Sequence, residues 1–139
     1  MTGKNFNKHH SLIGSAAVGL GIGMLVEVVG ALLCAFLINR EAMPQTSMGL
    51  MAAVVHGVSA AAGGFAAGVK NGGQIAFVCG IVGLALAAIW TGVGILFFDG
   101  IGGGTLGNLA GILVGTVTAC GLQLFPKGSG LKKFSGYSR

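Results

Sequence analysis

An all-α integral membrane fold, a bundle of four transmembrane helices, is what this sequence predicts, and three observations predict it. Charged residues make up only 8% of the 139 positions, against about a quarter in a soluble domain. Hydrophobic residues make up 53% and gather into four long runs. Each run reaches about 20 residues, the length a helix needs to cross a hydrocarbon core about 30 Å thick. The runs lack the polar/apolar alternation of a barrel strand, and a helix satisfies its own backbone in lipid.

The elements follow in order. A basic tail, residues 1–11, precedes the first span, Leu12 to Ile38. This run is longer than a signal h-region and no A-x-A-like site follows it, so a cleavable signal is not expected. NREAMPQT, Asn39 to Thr46, connects to the second span, Ser47 to Val69, with Pro44 expected to stop helical continuation. KNGG, Lys70 to Gly73, reads as a tight turn into the third span, Gln74 to Phe98. DGIGGGTLG, Asp99 to Gly107, reads as a mobile loop or a frayed start to the fourth span, Leu106 to Phe125. A second basic tail, residues 126–139, ends the sequence. Short connections make consecutive helices antiparallel within one domain.

Orientation follows from the cations. Four crossings put Lys4, Lys8, Lys70, Lys127, Lys132, Lys133 and Arg139 on one face and only Arg40 on the other. The positive-inside rule makes the first face cytoplasmic, with both termini inside. The net charge of +5 is therefore a topology signal, with attraction to anionic headgroups as its side effect. Nucleic acid is not an expected partner, because so few tail cations give weak, salt-sensitive binding. Cys34, Cys79 and Cys120 fall one per span in three different spans, which gives neither a disulfide framework nor a metal-ligand spacing. They read as small residues filling helix contacts.

Glycines indicate how the helices meet. Small residues recur every fourth position at Gly107, Gly111, Gly115 and Ala119 in the fourth span, and at Gly19 and Gly23 in the first. The second span offers Gly64 and Gly68, and the third Gly83, Ala87 and Thr91. Small-xxx-small faces let backbones approach closely in lipid, where no hydrophobic force drives helices together. These are expected packing seams, within the chain or between copies.

One acid interrupts this pattern. Glu27 lies in GIGMLVEVVGALLC and shares a helix face with Gly19, Gly23 and Gly30. It is thereby expected to face other helices rather than lipid. A carboxylate at mid-bilayer costs several kcal/mol, so it must be protonated for part of its life or have a partner. The natural partner is His56 in AAVVHGVSAAAGG, the only other ionisable residue well inside a span. Counted from the helix ends at about 1.5 Å per residue, the two lie at the same depth. A proton-responsive pair, a site for a cation or polar ligand, and a structural pair fixing helix register all fit this placement. Ser59, Thr91, Thr116 and Thr118 are expected to bond back to their own helices. Trp90 is too deep for an interfacial belt and reads as a packing residue or a cavity wall. Asn108 could cap the fourth helix or face the Gly100 to Gly104 loop. His9 and His10 read as solvated.

No site for ordinary enzyme chemistry is visible. The sequence has three acids in all and lacks G-x-S-x-G, H-E-x-x-H and Walker patterns. No enzyme activity, cofactor or metal is expected.

Two family resemblances attach to particular segments. VEVVGALL around Glu27 and AAIWTGVGILFF around Trp90 resemble pieces of the first and third helices of small multidrug resistance transporters. That resemblance implies proton exchange at Glu27 and a binding chamber walled by Trp90. GGFAAGVKNGGQIAFVCGIVGLALA, Gly63 to Ala87, and NLAGILVGTVTACG resemble a family of small uncharacterised four-helix membrane proteins found chiefly in Firmicutes. Gly63, Gly64, Gly68, Lys70, Gly73, Gly80 and Gly83 carry that likeness. It implies a four-helix fold in a bacterial cytoplasmic membrane and names no reaction. Two functions are thus expected: an accessory or assembly subunit docking a second copy or another membrane protein through its glycine faces, or a proton-coupled transporter or channel-like oligomer using Glu27.

Overall fold

The computed structural model describes residues 3–71, 73–97 and 103–125. It consists of α1 (Gly3–Asn39), a 3-10 turn (Gln45–Ser47), α2 (Met48–Asn71), α3 (Ile75–Phe97) and α4 (Gly103–Leu124). Stretches long and apolar enough to cross a membrane are Leu12–Asn39, Gln45–Asn71, Ile75–Phe97 and Gly104–Leu124. The chain is all-helical among the described residues and is a multi-pass membrane protein. These stretches fall close to the expected spans. The membrane-length stretch starts at Leu12 as expected, and residues 3–11 ahead of it are helical and continuous with α1. Phe98, the Asp99 to Gly102 part of the third connection and the tail 126–139 lie outside the described residues.

The stop after α1 does not depend on Pro44. Glu41 has a left-handed φ of 55°, its N–H bonds to the Ile38 carbonyl, and the Ala42 N–H reaches back to the Leu37 carbonyl. This pair of bonds is a Schellman motif, which satisfies the last carbonyls and turns the backbone out of the helix. Pro44, with extended backbone angles, instead leads into the 3-10 turn before α2.

α2 is the central helix. It packs most extensively against α4 and α1, and α3 lies against all three others. Along α1 and α2 the facing pairs are Gly30 with Val55, Gly23 with Ser59, and Gly19 with Gly63. The residue numbers rise on one helix as they fall on the other, so these helices are antiparallel. Along α2 and α4 the facing pairs are Ala53 with Gly111, Gly57 with Gly115, Gly64 with Ala119, and Gly68 with Gln123. These rise together, so α2 and α4 are parallel neighbours. A Cβ at Gly115 would overlap the Gly57 carbonyl oxygen, and one at Gly111 would overlap the Ala53 carbonyl oxygen. Backbone meets backbone there because neither side carries a side chain.

Gly107 lies outside this seam. A Cβ built on it meets no neighbouring atom within 4 Å, and the residue is exposed. α4 starts only four residues earlier, at Gly103, and that first turn has not yet reached α2. Large side chains such as Leu25, Leu32, Leu84, Leu96 and Leu113 point outward, while Ala60, Ala67, Val78, Val82, Leu86 and Ile112 form the small core.

Two outcomes follow from this packing. Gly115→Val should lower unfolding stability in lipid by about 1–3 kcal/mol through overpacking, while Gly107→Val should stay near wild type in the same assay. Glu41→Gly should raise stability by about 0.5–1 kcal/mol, since glycine adopts positive φ without strain.

Candidate functional site

The α1/α2 register dictates what Glu27 meets. Gly23 faces Ser59 and Gly30 faces Val55, so the antiparallel pairing between them brings residue 27 to residue 56. Glu27 is 4% exposed and His56 7%. Oε1 of the Glu27 carboxyl group is in direct contact with His56 Nδ1, a pair that is ionic only when the imidazole is protonated. The contact that the depth count allowed is present.

Both flanks of the pair are closed. On one side the Ser59 hydroxyl donates a hydrogen bond of 2.8 Å to the Gly23 carbonyl of α1. Ser59 thus bonds across to another helix, unlike Thr116 and Thr118, which bond back to the Ile112 and Val114 carbonyls of α4. The expectation for Ser59 fails because Gly23 has no side chain to hold the neighbouring backbone away. On the other side Gly30 sits against the Val55 side chain. Glu27 therefore has little freedom to move along α1.

Trp90 completes the group from α3. Its ring centroid lies 5.1 Å from that of His56, with planes tilted by 50°. It also packs against the Val82 and Leu86 core cluster, so it is a packing residue and a cavity wall together. Glu27, His56 and Trp90 form a row contributed by three helices.

A cavity of about 320 Å³ adjoins this row, lined by His56, Trp90, Thr91, Gly94, Thr105 and Asn108 among others. Glu27 is not part of its wall, so the space meets the pair only through His56. Two polar atoms of lining residues, Trp90 Nε1 and Asn108 Oδ1, are buried without a protein partner. Asn108 is five residues inside α4 and is a wall residue rather than a helix cap. Three further cavities among the described residues are bounded almost wholly by aliphatic side chains and glycines.

Chemically, a carboxylate touching an imidazole is one coupled unit whose proton can sit on either partner. Cys79 is fully buried and donates its S–H to the Gly64 carbonyl at 3.1 Å, with the Cys120 thiol beside it. These two cysteines therefore join α2, α3 and α4 more specifically than mere space-filling. Gln123 was invisible to sequence reasoning. Its amide donates to the Phe65 carbonyl at 3.1 Å and covers Gly68, and the only signal for it is a lone amide at the end of an otherwise apolar run.

Of the expected packing glycines, Gly19, Gly23, Gly30, Gly64, Gly68, Gly111 and Gly115 all touch a neighbouring helix of the same chain. No family model, curated protein or solved structure matches this chain.

Removing His56 leaves a buried carboxylate without its partner. His56→Leu should destabilise the fold by about 3–5 kcal/mol where that carboxylate is charged. Protonation removes the charge, so the loss should shrink as pH falls. Unfolding in lipid at several pH values, with Glu27→Gln/His56→Leu as the comparison, reads this directly, and the double variant should show a smaller loss with little pH dependence.

Proposed function

We propose that this protein is a small proton-coupled membrane protein, a transporter or channel-like oligomer, in which Glu27 and His56 are the protonation unit. One observation carries the reading: a single buried carboxylate touches an imidazole, and that imidazole borders a cavity whose lining includes Thr91, Thr105 and Asn108. A pair serving only to fix helix register needs no such space. A dry core filled with small side chains would hold it better.

The accessory-subunit reading stands second. It would set a partner helix on the glycine faces, yet Gly19, Gly23, Gly111 and Gly115 already receive helices of the same chain. A docking partner is left with the outer faces, where Leu25, Leu32 and Leu113 point and where Gly21 and Gly107 lie open.

The cytoplasmic membrane of a bacterium is the proposed location, with both termini inside. Lys70 ends α2, while Arg40 follows α1 at the opposite end, and the remaining cations fall on the Lys70 side of the sequence. The resemblance of Gly63 to Ala87 to the Firmicutes four-helix family supports the same placement. The chemistry is non-enzymatic in this reading, and neither a resident cofactor nor a metal takes part.

Infrared spectroscopy of the protein in lipid tests the function. A carboxyl band that changes as the bath is taken from acid to alkaline pH, and is lost in Glu27→Gln, is expected of a group that exchanges protons with water. A Glu27 band that stays constant through that range would mark the acid as structural and return the accessory reading to first place.

A further inference from the structure

The cavity beside His56 has a direction. Its walls come from the C-terminal half of α3, at Trp90, Thr91 and Gly94, and from the first turns of α4, at Gly104, Thr105 and Asn108. These helix ends lie on the same side of the membrane as the α1–α2 connection, because consecutive helices are antiparallel. At about 1.5 Å per residue, Gly104 is within one residue step of the α4 start, Asn108 is about 7 Å deep, and His56 is about 12 Å from the start of α2. The space therefore descends stepwise from one face of the bilayer to the imidazole.

Its wall asks for water. Thr91, Thr105 and Asn108 put polar side chains among the lining residues, and polar groups inside a membrane need partners. A volume of about 320 Å³ has room for about ten waters at about 30 Å³ each, with polar groups to anchor them. Along α1 and α2 the pair is flanked closely on both sides. Ser59 and Gly23 close one flank, Val55 and Gly30 the other, and the Leu86 side chain reaches Gly23.

We propose that this cavity is a one-sided aqueous route that loads and unloads the pair from the face bearing the α1–α2 connection, with His56 as the relay. The proposal rests on the proton-exchanging reading given above. In the loading step a hydronium in the cavity gives a proton to the imidazole nitrogen not facing Glu27, and Nδ1 passes its own proton to the Glu27 carboxylate. One proton enters, one N–H bond forms, one breaks, and the imidazole ends neutral; unloading reverses each transfer. Among the described residues, Arg40 and Glu41 lie in the α1–α2 connection at the loading face, and no further charged group lies beside the pair within the helices. α3 and α4 carry no acidic, basic or histidine residue, and their titratable side chains are Cys79 and Cys120. Lys4, Lys8, His9 and His10 lie in the first turns of α1, and Lys70 in the last turn of α2.

The experiment follows hydrogen–deuterium exchange at the Glu27 carboxyl by time-resolved infrared, in the full chain in lipid vesicles. Gly94→Leu fills the route, and a Cβ at Gly94 meets nothing within 4 Å. Gly80→Leu is the control, because a Cβ there is equally unhindered but Gly80 lines a separate apolar cavity toward the Lys70 end. Exchange should slow by about tenfold or more in Gly94→Leu, the effect of a modest added barrier, and stay at the wild-type rate in Gly80→Leu. Asn108→Leu gives the same test should Gly94→Leu fail to assemble. An unchanged rate in the filled variant, or equal slowing in both, overturns the route while leaving Glu27 a proton-exchanging site. A wild-type carboxyl that never exchanges overturns the route and the underlying reading together.

Discussion

Close approach of backbone to backbone along α2 is the constraint on which the rest depends. Lipid offers helices no hydrophobic reason to associate, so contact must come from van der Waals packing and from hydrogen bonds too short to form across bulky side chains. α2 meets this with two faces of small residues. Gly63 and Ala67 receive Gly19 of α1, while Ala53, Gly57 and Gly64 receive α4. Every other feature takes its position from these two seams: the Ser59 bond to Gly23, the Cys79 bond to Gly64 and the meeting of Glu27 with His56. α3 then covers the remaining side with Val78, Val82 and Leu86, which are among the larger fully buried side chains.

The ionisable pair is tied to that scaffold in both directions. Its residues can touch only because Gly23 and Gly30 let the two helices close up on either side of it. Once formed, the contact opposes sliding of α1 along α2, since a shift of one turn would present Glu27 to an apolar neighbour. A buried pair is weak evidence for stability in itself, because desolvation offsets much of the attraction. Its specificity is clearer than its energy: one acid and one histidine in the spans leave one register that satisfies both.

Much of this was legible in the sequence. Span positions come from lengths and hydropathy, which lipid makes nearly decisive. Depth in the sequence allowed a Glu27–His56 contact, because an antiparallel hairpin fixes which residues share a level, but the contact itself depends on how each helix is rotated. Reading which seam each glycine serves was harder, since the fourfold spacing at Gly107, Gly111 and Gly115 is uniform while only the last two reach α2. Periodicity gives a face but not the point at which helices diverge. Ser59 shows a similar limit, as choosing between its own helix and its neighbour depends on an interhelical distance that no single segment encodes. The cavity was least visible, because it arises from what Trp90, Gly94 and Asn108 together fail to fill. The end of α1 went to a Schellman turn at Glu41, a residue without the usual glycine signature.

α1 is also longer than its neighbours, at 37 residues or about 55 Å, against about 40–45 Å for a whole bilayer with its headgroups. A free helix would lean over until its length matched the membrane. α1 is not free to lean alone, because Gly19, Gly23 and Gly30 hold it against α2. Tilt that matches α1 to the membrane must then be a tilt of α1 and α2 together, so the length of one helix sets the lean of its neighbour.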